Sequence, residues 1–251
     1  MNTILKINNC NKHFNGIIAL NDFNCEITEN EIVGLIGPNG AGKSTLFNVL
    51  TGFIQQDSGE MFFKGKDIST YPAHRINNLG ISRTFQDLRL IRQMTVLENI
   101  LLSFHRQPGE HLENVFFRAM KVKLVEALNR EQAMELLKYA GIENKANDLA
   151  DDLSYGQQKL LSIICCLATD ADLLLLDEPI AGINPTLIEK ILSLISELPK
   201  QGKSILLIEH NMDVISQICD RVIFMDSGKK VSEGTAEEVK NDPRVIEAYL
   251  D

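Results

Sequence analysis

Residues 37–44 read GPNGAGKS, and they stand between an unbroken apolar run, IVGLIG, and a helix-forming stretch, KSTLFNVLTG. Glycine at the first and sixth positions, followed by lysine and a hydroxyl residue, is informative when a strand precedes it and a helix follows. Here both flanks are present, so the chain must build an α/β domain in which a buried strand feeds a glycine-rich turn. An ordinary glycine turn is the bland alternative, and the flanking elements weigh against it. Such a turn has a specific use, because phosphate oxygens need several backbone N–H groups at once and side chains at Gly40 or Gly42 would hold the backbone away. Lys43 then brings a point charge to the β- and γ-phosphates, and Thr45 supports the α-phosphate. Ser44 offers a hydroxyl to Mg²⁺, a cation that keeps most of its waters and borrows one or two protein ligands. Gly37, Pro38, Asn39 and Ala41 complete the loop.

The rest of the chain is consistent with that beginning. LLLLD at 173–177 and SILLIEH at 204–210 are buried-strand runs, and between them NPTLIEKIL reads as an amphipathic helix with Asn184 as cap and Pro185 in its first turn. Apolar strands separated by helices predict a mainly parallel sheet covered on both faces. Ahead of it, LKI at 5–7, the alternating FNCEI at 23–27 and GEMFFKGKDI, turning at Lys64 and Gly65, predict an antiparallel β region. From Thr95 the pattern becomes helical. TVLE offers a capping box of Thr95 and Glu98, and MKVKLVEALNREQAMELLKYAG runs to Gly141. A last hairpin turns near Ser227 and Gly228, and a Thr-capped TAEEVK leads into a closing helix. The expected organisation is one domain over 1–251, with an α/β core in 1–86 and 153–251 and a helical subdomain in 87–152.

Charge narrows the partners. With 34 acidic and 25 basic residues the chain carries −9, which argues against nucleic acid or anionic lipid as a broad direct partner. No apolar run approaches the roughly 20 residues of a bilayer span, and MNTILKINNC has neither basic nor apolar targeting character. A cytosolic chain held at a membrane by other proteins is expected. Five scattered cysteines without a C-x-x-C read as reduced core thiols.

Asp177 and Glu178 end one apolar strand, and alternation along a strand sends their side chains to opposite sides. Asp177 is expected to be an outer ligand of Mg²⁺, and Glu178 to polarise an attacking water. His210, at the end of SILLIEH, is expected at the same carboxyl edge, where ligands of open α/β sheets collect. Taken alone, the two acids could be an inert strand end and His210 a surface turn.

GPNGAGKS, RTFQ, LSYGQQ, LLLLDEP and IEH, in that order over the whole chain, resemble the ATP-binding cassette ATPases of membrane transporters. The resemblance implies a P-loop NTPase core of RecA-like type, an N-terminal antiparallel β subdomain and an inserted helical subdomain. It implies ATP and Mg²⁺ as ligands, catalysis by Glu178, His210 and Gln86, and metal contacts from Ser44, Gln86 and Asp177. It also implies a head-to-tail dimer in which Ser154, the N–H of Gly156, Gln157 and Gln158 seal the partner's γ-phosphate; without it, that stretch is a capped helix. Phe14 falls where the family stacks an aromatic ring on adenine, or else is a core phenylalanine. Two departures from the pattern stand out, Tyr155 for a glycine and Asn184 for an aspartate, and they put coupling between the two sites in doubt.

RTFQDLRLIRQMTVLENI, LSYGQQ, AGINP and VIEAYL look most like the ATPases of branched-chain amino-acid importers, with relatives in urea uptake and lipopolysaccharide export. The implied partners are a second cassette, identical or related, integral membrane permeases and, indirectly, a periplasmic solute-binding protein. The expected place is the cytoplasmic face of the inner membrane. A soluble assembly factor and a catalytically silent regulatory subunit are the other classes. Leu88, Leu90, Ile91, Met94 and Val96 are candidates for a permease-facing groove or for packing within the subdomain, and the segment 105–120 is a candidate mobile loop or additional contact.

Overall fold

The computed structural model describes residues 2–105 and 119–248. Most of the 105–120 segment and the final residues of VIEAYL therefore lie outside the described residues. The chain divides into two compact units, one holding the residues up to Arg83, Asp172–Glu178 and those from Leu192 on, the other Thr84–Ala171 and Pro179–Ile191.

In the first unit, β1 (Thr3–Phe14) and β2 (Ile17–Thr28) form a hairpin, and β1 also pairs antiparallel with β4 (Ser58–Phe63), which carries the short β5 (Lys66–Asp67). The sequence reading took only 5–7 and 23–27 from this hairpin. Its ladder slips register between Ile7 and Lys12, and Asn9 sits at φ 49°, so the hydrophobic period of two breaks there. Asn15 and Gly16, at φ 45° and 88°, close it with the left-handed pair that a two-residue hairpin turn requires. The turns expected at Lys64–Gly65 and Ser227–Gly228 show the same paired positive φ.

The second sheet runs β10 (Lys229–Gly234), β9 (Arg221–Asp226), β3 (Ile32–Ile36), β8 (Ser204–Ile208), β7 (Leu173–Asp177) and β6 (Ile81–Arg83). All its neighbours are parallel except β9 and β10. Every residue of β3, β7 and β8 is buried, which is why these segments read as unbroken apolar runs. Register sets the site: Leu35 lies opposite Ile208, and Ile208 opposite Asp177. The residues following all three strands therefore emerge at one edge. Beneath that edge the helix Lys43–Leu50 buries Leu46, Phe47, Val49 and Leu50 into a core with Phe23, Met61 and Met225. Each such large side chain contributes about 1.5–3 kcal/mol by leaving water. β6 and the helix Ala73–Leu79, which ends at Gly80 with φ 108°, were too short to be read from periodicity.

The second unit contains the helices Val96–Leu101, Ala119–Tyr139 and Tyr155–Ala168. The expected capping box forms: Thr95 Oγ1 accepts from Glu98 N–H at 3.1 Å, and Glu98 Oε2 accepts from Thr95 N–H at 2.8 Å. Asn184 caps the helix Pro185–Glu197, accepting from Leu187 N–H at 3.0 Å. Of the apolar positions named above, Val96 is fully buried and Ile91 is exposed. Among the described residues no helix is long and apolar enough to cross a membrane.

Candidate nucleotide site

The loop after β3 is shaped by glycine at positions where nothing else fits. At Gly37 (φ 148°) an added Cβ would lie 1.9 Å from the Met225 carbonyl oxygen, and at Gly42 (φ 104°) 2.3 Å from that of Ala19. Gly40 is different: its φ is 83°, but a Cβ there meets open space. Clearance for phosphate, expected of both glycines, is therefore not what Gly42 provides. Gly42 is needed because the loop lies against its own β2 backbone, whereas Gly40 faces open space. Gly42 is also the N-cap of the helix Lys43–Leu50 and supplies no side-chain cap, so the first-turn N–H groups receive no side-chain acceptor from it.

Lys43 is nearly buried, and its Nζ donates to the carbonyls of Gly37 (2.8 Å) and Pro38 (2.9 Å). Burial lowers its pKa, opposed by the nearby charges of Glu178 and Asp177. Ser44, Asn39 and Gly40 are exposed, Pro38 and Thr45 half-buried, and Ala41 buried. The loop thus exposes Asn39, Gly40 and Ser44 while Lys43 ties it to its own carbonyls.

Asp177 ends β7, with its side chain 6% exposed, and Arg83 Nη2 donates to its Oδ2 at 3.1 Å. The same guanidinium donates through Nη1 to Asn48 Oδ1 at 2.7 Å. Glu178 departs from the expected pleat. Its φ is 48°, a left-handed conformation costing about 1–3 kcal/mol in a residue with a side chain. A turn in the backbone, rather than strand alternation, therefore separates the two acids. Glu178 N–H donates to the Ile208 carbonyl at 2.9 Å, and its Oε1 lies 3.0 Å from His210 Nε2. The sequence places His210 at this edge but does not pair it with Glu178; the contact between them is a finding of the structure.

Phe14 is 39% exposed at the end of β1, beside the exposed Ile17 and Ile18, which removes the reading as a core residue. Gln86 is exposed and belongs to the second unit, as do Ser154, Gly156 and Gln157. Ser154 is the exposed N-cap of the helix Tyr155–Ala168, and the glutamines have local duties the sequence reading missed. Gln157 closes a capping box, its Oε1 accepting from Ser154 N–H at 3.0 Å, while Gln158 donates to the Ala150 carbonyl at 3.0 Å. Gly156 is a packing glycine: a Cβ would come 2.6 Å from Leu187 Cδ2 and 2.9 Å from Ile183 Cγ2. Tyr155, half exposed, lies over Gly182, and Lys159 Nζ stands 5.4 Å from its ring centre.

Residues 20–181 match the model of the ABC transporter family, and residues 229–250 that of the branched-chain amino acid ATP-binding cassette transporter. The chain belongs to the ABC transporter family. It is 39% identical over 248 residues to the high-affinity branched-chain amino acid transport ATP-binding protein LivG of Salmonella typhimurium, covering 98% of this chain and 97% of that one. Identity to BraF of Pseudomonas aeruginosa, which carries the same description, is 37% with the same coverage. Among solved structures, a nucleotide-free ATP-binding cassette from an ABC transporter superposes with TM-score 0.86 at 35% identity, covering all of both chains. A dimeric post-hydrolysis cassette bound to ADP and phosphate gives TM-score 0.75 at 27% identity, covering 92% of this chain and 98% of that one.

The donor set of this loop and strand end suits a nucleotide's phosphates and a hard divalent cation. Open space at Gly40 and a helix N-terminus whose N-cap has no side chain suit phosphate oxygens. A hydroxyl at Ser44 and a carboxylate at Asp177 are hard oxygen donors, the chemistry Mg²⁺ selects. Arg83 and Asn48 were not found from sequence. RTFQ displays the arginine, but no pattern in one chain says that its guanidinium turns inward onto a strand 94 residues away.

Proposed function

We propose that this cassette hydrolyses ATP, with Mg²⁺, to power uptake of branched-chain amino acids through integral membrane permeases. It is held peripherally by them at the cytoplasmic face of the inner membrane. The observation that carries the hydrolytic reading is the 3.0 Å pair of Glu178 and His210 at the sheet edge that also bears the Lys43 loop. Membership of the ABC transporter family and likeness to LivG and BraF support the transport reading.

In this reading the backbone of Gly37–Thr45 cradles the triphosphate, and Lys43 leaves its two carbonyl contacts to meet the β- and γ-phosphates. When bound, Mg²⁺ would supply positive charge that offsets that of the phosphates. Ser44 and Asp177 would hold it, and likeness to the family is what assigns Gln86 to it. Glu178 orients the attacking water and accepts its proton. His210 keeps the Glu178 carboxylate in place and touches the γ-phosphate. Phe14 stacks on adenine. Ser154 and the Gly156 N–H seal the nucleotide of a second cassette, with Gln157 acting through its cap. The helical subdomain, 87–152, presents Ile91 and its neighbours to the permeases, and a periplasmic binding protein delivers the solute on the far side.

Replacing Glu178→Gln tests the hydrolytic assignment. Turnover should fall about 10²- to 10⁴-fold, equivalent to roughly 3–5 kcal/mol of barrier, with ATP binding retained. Unchanged turnover would remove Glu178 from its role. Uptake of labelled leucine, isoleucine and valine by cells deleted for the chain and then complemented tests the solute; no change in any of the three overturns that part.

A further inference from the structure

Arg83 joins the two elements that carry two of the assigned cation ligands, Ser44 and Asp177. Asn48 lies one turn beyond Ser44 on the helix Lys43–Leu50, and residues four apart share a helix face. The planar Arg83 fork spans from Asn48 Oδ1 (2.7 Å) to Asp177 Oδ2 (3.1 Å), with its Cζ 5.4 Å from the centre of the Phe47 ring. Both ends of the ion pair are 6% exposed. All of these groups belong to the first unit, which the chain leaves immediately after Arg83.

Two physical consequences follow. With Oδ2 accepting from a guanidinium that is itself held by Asn48, rotation of the Asp177 carboxylate is restrained, and the planar guanidinium bridges the Ser44 helix to β7. The buried carboxylate also already has its counter-charge. A divalent cation arriving alone therefore meets little net negative charge, and its binding depends on the phosphates that arrive with the nucleotide.

We propose that Arg83 is a positioning residue for the nucleotide's divalent cation: it aligns Asp177 with Ser44 and cancels the carboxylate's charge until phosphates are present. This rests on the reading of Asp177 and Ser44 as cation ligands.

Titration of the full chain with Mn²⁺, followed by electron paramagnetic resonance with and without adenylyl imidodiphosphate, tests it. In Arg83→Gln, Mn²⁺ affinity in the presence of the analogue should fall about tenfold, while Mn²⁺ affinity without it rises. Analogue binding in EDTA should stay within about twofold of wild type, since the phosphate loop is untouched. General damage would not move the two Mn²⁺ titrations in opposite directions. Arg83→Lys and Asn48→Ala, which keep a buried cation, should fold even if the glutamine variant does not. Each should weaken Mn²⁺ with the analogue about threefold, a fraction of the roughly tenfold loss expected on removing such a supporting group. In an Asp177→Asn background, changing Arg83 should add no further loss. If Asp177→Asn itself leaves Mn²⁺ affinity unchanged, the ligand reading fails. If Asp177→Asn weakens it but the Arg83 and Asn48 variants do not, the ligand reading stands and the role of Arg83 is overturned. Equal loss of analogue binding with and without metal in those variants overturns it as well.

Discussion

At the scale of single residues, the phosphate loop separates two uses of glycine that its pattern writes with the same letter. Gly40 and Gly42 both have positive φ, but only at Gly42 would a methyl group press on a backbone carbonyl, that of Ala19. Gly40→Ala should therefore cost only the left-handed conformation, about 1–2 kcal/mol. Gly42→Ala adds a steric clash with backbone that cannot give way, and should cost about 3 kcal/mol or more. Urea unfolding of the two variants checks this, and equal losses would contradict the geometry. His210→Ala removes the 3.0 Å contact to Glu178 and should lower kcat about 10²-fold with little change in KM for ATP; single-turnover hydrolysis measures it. The positions of the loop residues, Asp177, Glu178 and His210 were legible because each is bound to a backbone context, a turn or a strand end, that leaves a mark in sequence. Arg83 was not, because its function depends on a side-chain direction and on two partners brought close by tertiary packing.

At the scale of elements, capping and function overlap at the start of the helix Tyr155–Ala168. Ser154 Oγ accepts from Gln157 N–H at 3.3 Å, so part of its value is local. Ser154→Ala should cost about 1 kcal/mol as a lost cap, whereas Ser154→Asp should keep the cap, because aspartate ranks with serine at that position. If Ser154 also faces a partner's γ-phosphate, the aspartate variant places like charge against it and should block ATP-driven dimerisation while folding normally. Gel filtration of both variants in the Glu178→Gln background reads the difference, and an aspartate variant that still dimerises would limit Ser154 to capping. Caps and two-residue turns were readable because they rest on local chemistry, as at Thr95–Glu98, Asn184 and Ser227–Gly228. The β1–β2 hairpin was only partly read, although Asn15-Gly16 signals it, because the bulge at Asn9 and the polar run through His13 conceal the strand on one side.

At the scale of the whole molecule, the acidic excess does not make the fold indifferent to acid, because several carboxylates are held charged by specific partners. Asp57 is the clearest. The Lys12 ammonium, 2.7 Å from Oδ1, and the His13 backbone N–H, 2.6 Å from Oδ2, lower its pKa to about 2 from an ordinary 3.8. The Arg244 guanidinium and the Ser232 hydroxyl hold Asp242 lower still, and they tie the start of the closing helix to β10. A depressed folded-state pKa means that the unfolded chain takes up protons first. The stabilisation is therefore complete above about pH 4 and disappears as pH falls through about 2. Asp57→Asn removes this dependence together with the charge. The Tm of that variant should accordingly lie below the wild-type value by a constant margin from pH 7 down to about pH 4, and the margin should close between about pH 4 and pH 2. A margin that stays constant down to pH 2 would mean that Asp57 gains nothing from ionisation in the folded state, and that the link between β1 and the turn before β4 holds through geometry alone.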